Sequence, residues 1–138
     1  DYVGLSDELG TLAGEADIII NALPLTSSTQ GLVDADLIAQ FKPGAFFINV
    51  GRGGTVVTDA LVAALESGRI AGAGLDVTDP EPLPADHPLW QMPNVIITPH
   101  VSWAGADRRY HEMLLHENLR RYLAGEALLN VVDPDRGY

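Results

Sequence analysis

Four short apolar runs constrain this chain more than anything else in it. They are DIIINA at 17–22, AFFINV at 45–50, GAGLDV at 72–77 and VIIT at 95–98. The first two and the last are rich in β-branched or aromatic residues, and none alternates apolar with polar. Such runs read as strands buried on both faces, as in a parallel sheet. Helical patterns separate them. Residues 6–14 offer Ser6 as a cap, acids in the first turn, and Leu9 and Leu12 on one face. Residues 34–41 form a short helix stopped by Lys42-Pro43-Gly44. Residues 58–67 form a clear helix, with Thr58 as cap, Leu61, Val62 and Leu65 toward the core, and Gly68 as terminator. The segment DPEPLPADHPLW is too rich in proline for a helix or a central strand. Residues 104–124 make a longer amphipathic helix, with Leu115, Leu119, Tyr122 and Leu123 near one face and Gly125 at its end.

Strand–helix alternation of this kind gives an α/β fold, a parallel sheet with right-handed crossovers and helices on both faces. Four strands make about half of a doubly wound domain. The 138 residues are 46% hydrophobic and 20% charged, which favours a packed core over disorder. No apolar run approaches the ~20 residues of a membrane span, and the N-terminus lacks the pattern of a secretory signal. The net charge of −11 argues against nucleic acid. The absence of cysteine excludes disulfides, thiolate zinc sites and a thiol nucleophile, and fits a cytoplasmic protein.

Open α/β sheets bind ligands outside the carboxyl ends of their strands. At those ends lie Leu23-Pro24-Leu25-Thr26, then Arg52 within Gly51–Gly54, then Asp76 and Glu81, then His100. A cation, two acids and an imidazole thus come from one edge. An imidazole titrates near neutrality, with an unperturbed pKa of about 6.5. Glu81 can bond its ring and fix the tautomer, and Arg52 offers a planar fork for a carboxylate. The set suits a substrate with a carboxylate beside a carbonyl or hydroxyl. Proton transfer at that oxygen needs hydride transfer at carbon, which points to a nicotinamide cofactor.

Each residue also has a plainer reading. Arg52 can pair with a surface acid, Glu81 can be loop, His100 can be structural, and Asp76 can cap a turn. Other candidates are weaker. His111 and His116 are five apart, whereas a zinc-binding HExxH needs four, so no metal site is expected. His87 belongs to a turn. The Gly51–Gly54 stretch lacks the Lys-Ser/Thr of a phosphate loop, and no GxSxG elbow is present.

The segments NALPLTSSTQGLV, KPGAFFINVGRGGTVV, ALVAALESGRIAGAGLDVTDPEPLPADHPLW and PNVIITPHVSWAG resemble the D-isomer-specific 2-hydroxyacid dehydrogenases. The resemblance is nearly continuous from residue 17 to 105. It implies a partial Rossmann-type doubly wound sheet, the second half of an NAD(P)-binding domain, over 1–102. Residues 103–138 are then a crossover helix and tail returning to a substrate domain. It implies hydride transfer between NAD or NADP and a small 2-oxo or D-2-hydroxy acid. Arg52 is the carboxylate-binding arginine, Glu81 the partner of the catalytic histidine, and His100 the general acid/base. Asp76 contacts the nicotinamide carboxamide, and Leu23, Pro24, Thr29, Val50 and Gly51 line the cofactor, beside Arg52 and His100. Glu81 stands where formate dehydrogenases of this fold carry glutamine. Trp103 resembles a tryptophan of the glycerate dehydrogenase and hydroxypyruvate reductase branches. A homodimer built through the cofactor domain is expected. An NAD(H)-sensing corepressor-like binding module of the same fold is the alternative. The pyrophosphate-binding GxGxxG of the family is not found in these residues, so the isolated chain is expected to bind dinucleotide weakly and to lack dehydrogenase activity.

Overall fold

The computed structural model describes residues 3–4, 6–104 and 108–133, without the side chain of Ser6. The chain divides into two compact units, Asp1–Ser102 and Trp103–Tyr138. In the first unit, β1 (Ile18–Asn21), β2 (Phe46–Asn49), β3 (Gly72–Leu75) and β4 (Val95–Ile97) form one sheet in the order β1-β2-β3-β4. Every neighbouring pair is parallel. The four apolar runs therefore became the four strands, each trimmed by a residue or two.

The register explains which residues build the core. Ile19, Phe47, Ala73 and Val95 stand side by side across the sheet, and two residues on so do Asn21, Asn49, Leu75 and Ile97. On this face lies the core cluster, which also takes Ala13 from α1 (Leu9–Glu15), Ile38 from α2 (Ala35–Gln40) and Leu61, Ala64 and Leu65 from α3 (Thr58–Glu66). Phe47 is fully buried and its ring stacks on Phe41, with centroids 5.9 Å apart. Burying each such side chain contributes about 1.5–3 kcal/mol.

The opposite face differs from expectation. Ile18, Ile20, Phe46 and Ile96 alternate with the core residues and are exposed within this chain. The helices α1, α2 and α3 all contribute to the one core cluster, so within the first unit one sheet face is covered and the other is apolar and bare. Both faces have the composition of a buried sheet, which is why the runs showed no polar alternation.

Helix ends follow local chemistry. Asp34 caps α2 by accepting the backbone N–H of Leu37 at 2.9 Å, a contact worth about 1 kcal/mol. At α3 the expected cap is corrected: Val57 is the N-cap residue and makes no side-chain cap. Thr58 lies inside the first turn, where its hydroxyl donates to the carbonyl of Asp79 at 2.8 Å. A tertiary acceptor has won the hydroxyl that the sequence pattern assigned to the helix. Gly68, at φ +71°, ends α3 as expected. The helix expected over 6–14 is a one-turn 3-10 helix, Ser6–Glu8, running into α1. The capping role assigned to the side chain of Ser6 lies outside the described residues. The proline-rich segment holds only one short 3-10 turn, Pro88–Gln91, which His87 caps through Nδ1.

In the second unit, α4 runs from Arg108 to Ala124 and ends at Gly125, at φ +69°. The expected start at 104 is not helical, and 105–107 fall outside the described residues. Asn118 exchanges two hydrogen bonds with the backbone of Leu129, folding the following segment back on the helix. Arg120 and Arg121 both bond the Glu117 carboxylate and pull its pKa down to about 2. No described residue of α4 is buried within this chain, and Leu115, Leu119, Tyr122 and Leu123 are all exposed.

Candidate active site

The loop after β2 is built by close approach. Gly51 is buried, and a Cβ there would sit 2.6 Å from the carbonyl oxygen of Leu23. A Cβ on Gly53 would overlap the carbonyl of Thr78. The loop is thus wedged between the chain leaving β1 and the chain leaving β3, and only glycine fits at either contact. These glycines serve backbone packing rather than a phosphate cradle.

Between those glycines, Arg52 is extended, at φ −138° and ψ 140°. Its carbonyl accepts from the Thr55 hydroxyl at 2.6 Å, from Asn49 Nδ2 at 3.2 Å and from the Thr55 backbone at 3.3 Å. Its side chain is exposed, and Nη1 donates to the Gly51 carbonyl at 2.8 Å. The remaining guanidinium N–H groups have no partner among the described residues and can receive an anion.

Three buried polar side chains underlie this loop. Asn21 and Asn49 end β1 and β2 in register. Asn21 Nδ2 donates to Asn49 Oδ1 at 3.2 Å and to Thr55 Oγ1 at 2.6 Å. Asn21 Oδ1 accepts from the Leu23 backbone, and Asn49 Oδ1 from the Gly51 backbone. All three residues are at most 5% exposed. Sequence reasoning passed over them, although a lone asparagine closing both IIIN and FFIN was the signal.

At the end of β4 the expected pair is formed. His100 Nδ1 lies 2.7 Å from Glu81 Oε1, and both side chains are about 40% exposed. A carboxylate at that distance accepts a hydrogen bond from the Nδ1–H tautomer, and Nε2 has no partner among the described residues. His100 stands at φ +55°, left-handed backbone that non-glycine residues rarely adopt. Its N–H donates to both the Asp76 and Thr98 carbonyls, at 2.9 and 3.0 Å.

Asp76 holds this turn. Its Oδ1 accepts from the Thr98 hydroxyl at 2.5 Å and from the Val101 N–H at 2.9 Å, and its Oδ2 from the Ser102 N–H at 2.8 Å. Asp76 is 6% exposed. Burial by itself pushes its pKa up, but the bonds from Thr98, Ser102 and Val101 prevail and hold it well below the usual carboxylate range. The carboxylate of Asp76 thus holds the turn after β4, 22 to 26 residues on, and not the turn that follows its own strand, as the plainer sequence reading had it. Beside it a cleft of about 370 Å³ is lined by Asp76, Glu81, Trp90, Thr98 and His100 among others.

The residues expected to line a cofactor lie on the same edge. Leu23 and Pro24 are exposed, Val50 is half-buried, and Gly51 is buried beneath Leu23. The Thr29 hydroxyl donates to the Pro24 carbonyl at 2.6 Å and accepts from the Thr26 N–H, so it shapes the 24–29 turn. His111 and His116 are exposed on α4, and the described residues contain no cluster of metal-ligating side chains. No described helix is long and apolar enough to cross a membrane.

The chain has known counterparts. Residues 2–102 match the family model of the D-isomer specific 2-hydroxyacid dehydrogenase NAD binding domain. The chain belongs to that family. It is 44% identical to a glyoxylate/hydroxypyruvate reductase B of Pectobacterium carotovorum, across 92% of this chain and 40% of that protein. A D-isomer specific 2-hydroxyacid dehydrogenase of Xanthobacter autotrophicus, solved with NADPH and MES, is 47% identical with a TM-score of 0.88. That match covers 96% of this chain and 55% of the solved one. An NADPH-dependent glyoxylate/hydroxypyruvate reductase of Sinorhizobium meliloti, solved with NADP and sulfate, is 37% identical with a TM-score of 0.87, over 96% of this chain and 43% of that one. The chain therefore spans about 40% of the length of the curated reductase it matches.

Proposed function

We propose that a protein carrying this chain is an NAD(P)-dependent oxidoreductase that interconverts a small 2-oxo acid and the corresponding D-2-hydroxy acid. The observation that carries the reading is the 2.7 Å bond between His100 Nδ1 and Glu81 Oε1, at the carboxyl edge of the sheet. It supports Nε2 as the ring nitrogen that faces the substrate. Protonated His100 gives its Nε2 proton to the carbonyl oxygen during reduction and takes it back during oxidation. Arg52 binds the carboxylate through its exposed fork. When bound, NADH or NADPH supplies the hydride to the carbon.

The edge fits such a group. Leu23, Pro24 and Val50 offer apolar surface for a flat ring, beside a cation and an imidazole. Thr29 and Gly51 shape that lip through backbone contacts. We assign Asp76 first to the His100 turn, since three donors already occupy its carboxylate. Contact with the nicotinamide carboxamide is its second role. The names of the relatives support a small substrate such as glyoxylate or hydroxypyruvate. We further assign 1–102 to the second half of the cofactor domain and 103–138 to the crossover helix and a tail returning to a substrate domain. A cytoplasmic homodimer completes the proposal. The deciding experiment is steady-state reduction of a panel of 2-oxo acids by the whole protein and by His100→Ala. Equal turnover by the two would overturn the assignment of His100.

A further inference from the structure

We infer that Asn21, Asn49 and Thr55 are positioning residues for Arg52, with Thr55 as the hub. This rests on the proposed role of Arg52 toward the substrate carboxylate. Arg52 presents its fork from the residue before a single 3-10 turn, Gly53–Thr55, which is too short to fix its direction alone. Its direction therefore depends on how the backbone beneath it is held. Three bonds converge on its carbonyl, and two of them come from Thr55. The Thr55 hydroxyl donates to that carbonyl and accepts from Asn21 Nδ2, while its backbone carbonyl accepts from Val33. Asn49 adds a bond to the same carbonyl and another to the Gly51 N–H. Every side-chain polar atom in the cluster with no access to water has a partner.

A buried polar cluster is not the cheapest way to fill a core, since apolar side chains would fill the same volume without hydrogen-bonding demands. Its hydrogen bonds impose direction, and here two side-chain donors point at the Arg52 carbonyl while a third group takes the N–H of neighbouring Gly51. The same cluster reaches the Leu23 N–H through Asn21 Oδ1. The loop that carries the arginine and the lip beside it thus share one support. A rotation of about ten degrees in residue 52 would move the guanidinium by roughly an ångström at the end of its long stem, and displacements of that size carry large rate costs.

The test is kinetic and uses the whole enzyme with glyoxylate and hydroxypyruvate as probes. Thr55→Val keeps shape and removes the hydroxyl. It should raise KM for the 2-oxo acid on the order of tenfold, with a smaller fall in kcat and an unchanged KM for the cofactor. Thr55→Ser should restore the original KM. In an Arg52→Ala background, Thr55→Val should have no further effect on kcat/KM, because both act through one side chain. Equal penalties in both backgrounds would overturn the inference, as would a loss confined to kcat. Normal kinetics in Arg52→Ala alone would instead remove the role of Arg52, a failure visible before Thr55 is considered. If Thr55→Val does not fold, Thr55→Ala is judged by the same criteria.

Discussion

The loop of Arg52 and the turn of His100 solve the same problem in opposite ways. Arg52 sits on relaxed, extended backbone, held from below by neutral amides and a hydroxyl, and its own charge is left free. His100 sits on left-handed backbone, held by the buried carboxylate of Asp76, and its ring is already engaged by Glu81. In the role proposed for it, Arg52 needs unspent donors to catch an anion, and its support takes the main chain and only one guanidinium N–H, from Nη1 to the Gly51 carbonyl. In the role proposed for it, His100 passes a proton from one defined nitrogen and needs a fixed ring, and it is gripped at both ends. One seat is built without ionisable groups and the other around one.

The largest break in this comparison comes from removing the ring. His100→Ala should lower turnover of the whole enzyme by about 100- to 10,000-fold, the range for loss of a general acid/base. Arg52→Ala should cost less, about 1.5–3 kcal/mol for a charge-assisted contact or roughly 10- to 150-fold in kcat/KM, mainly as a higher KM. Steady-state kinetics separate the two. If His100→Ala alters mainly KM and Arg52→Ala mainly kcat, the division of labour is reversed. Gly53→Ala acts on stability instead. Its Cβ would overlap Thr78, so the loop should shift at a cost of about 3 kcal/mol. A thermal melt indistinguishable from the parent protein would show that the loop is not wedged as described.

Much of this was legible in the residues. The four apolar runs gave the strands, and the carboxyl-edge rule brought Arg52, Glu81 and His100 to one side of the sheet. What stayed hidden depended on partners far away in sequence. Thr58 looked like a cap until the carbonyl of Asp79 came within reach, at a separation of 21 residues. Asp76 looked as available to a ligand as to a turn, because Val101 and Ser102 lie 25 and 26 residues on. Asn21 and Asn49 looked like strand ends, because their shared target, the Thr55–Arg52 loop, is defined only once β1 and β2 pair. The bare sheet face was invisible for another reason. Its residues are as apolar as those of the covered face, so composition does not separate them.

The smallest effect sharpens the comparison best, because it is read as a dependence on pH. The pKa of Asp76 is lowered in the folded state from an ordinary 3.8. A carboxylate depressed in this way contributes stability above its unfolded pKa, and that contribution is lost as pH falls below it toward the folded value. Asp76→Asn should therefore cost about 1–3 kcal/mol near neutrality, and its deficit against the parent should shrink as both proteins are taken from about pH 7 to about pH 3. Thr55→Val removes a hydroxyl from a cluster with no ionisable side chain, so its deficit should be the same at both values. Thermal melts of the three proteins at the two pH values make the comparison. A constant deficit for Asp76→Asn would mean that the His100 turn owes its stability to the shape of that side chain rather than to its charge, and the contrast between the two seats would then rest on backbone conformation alone.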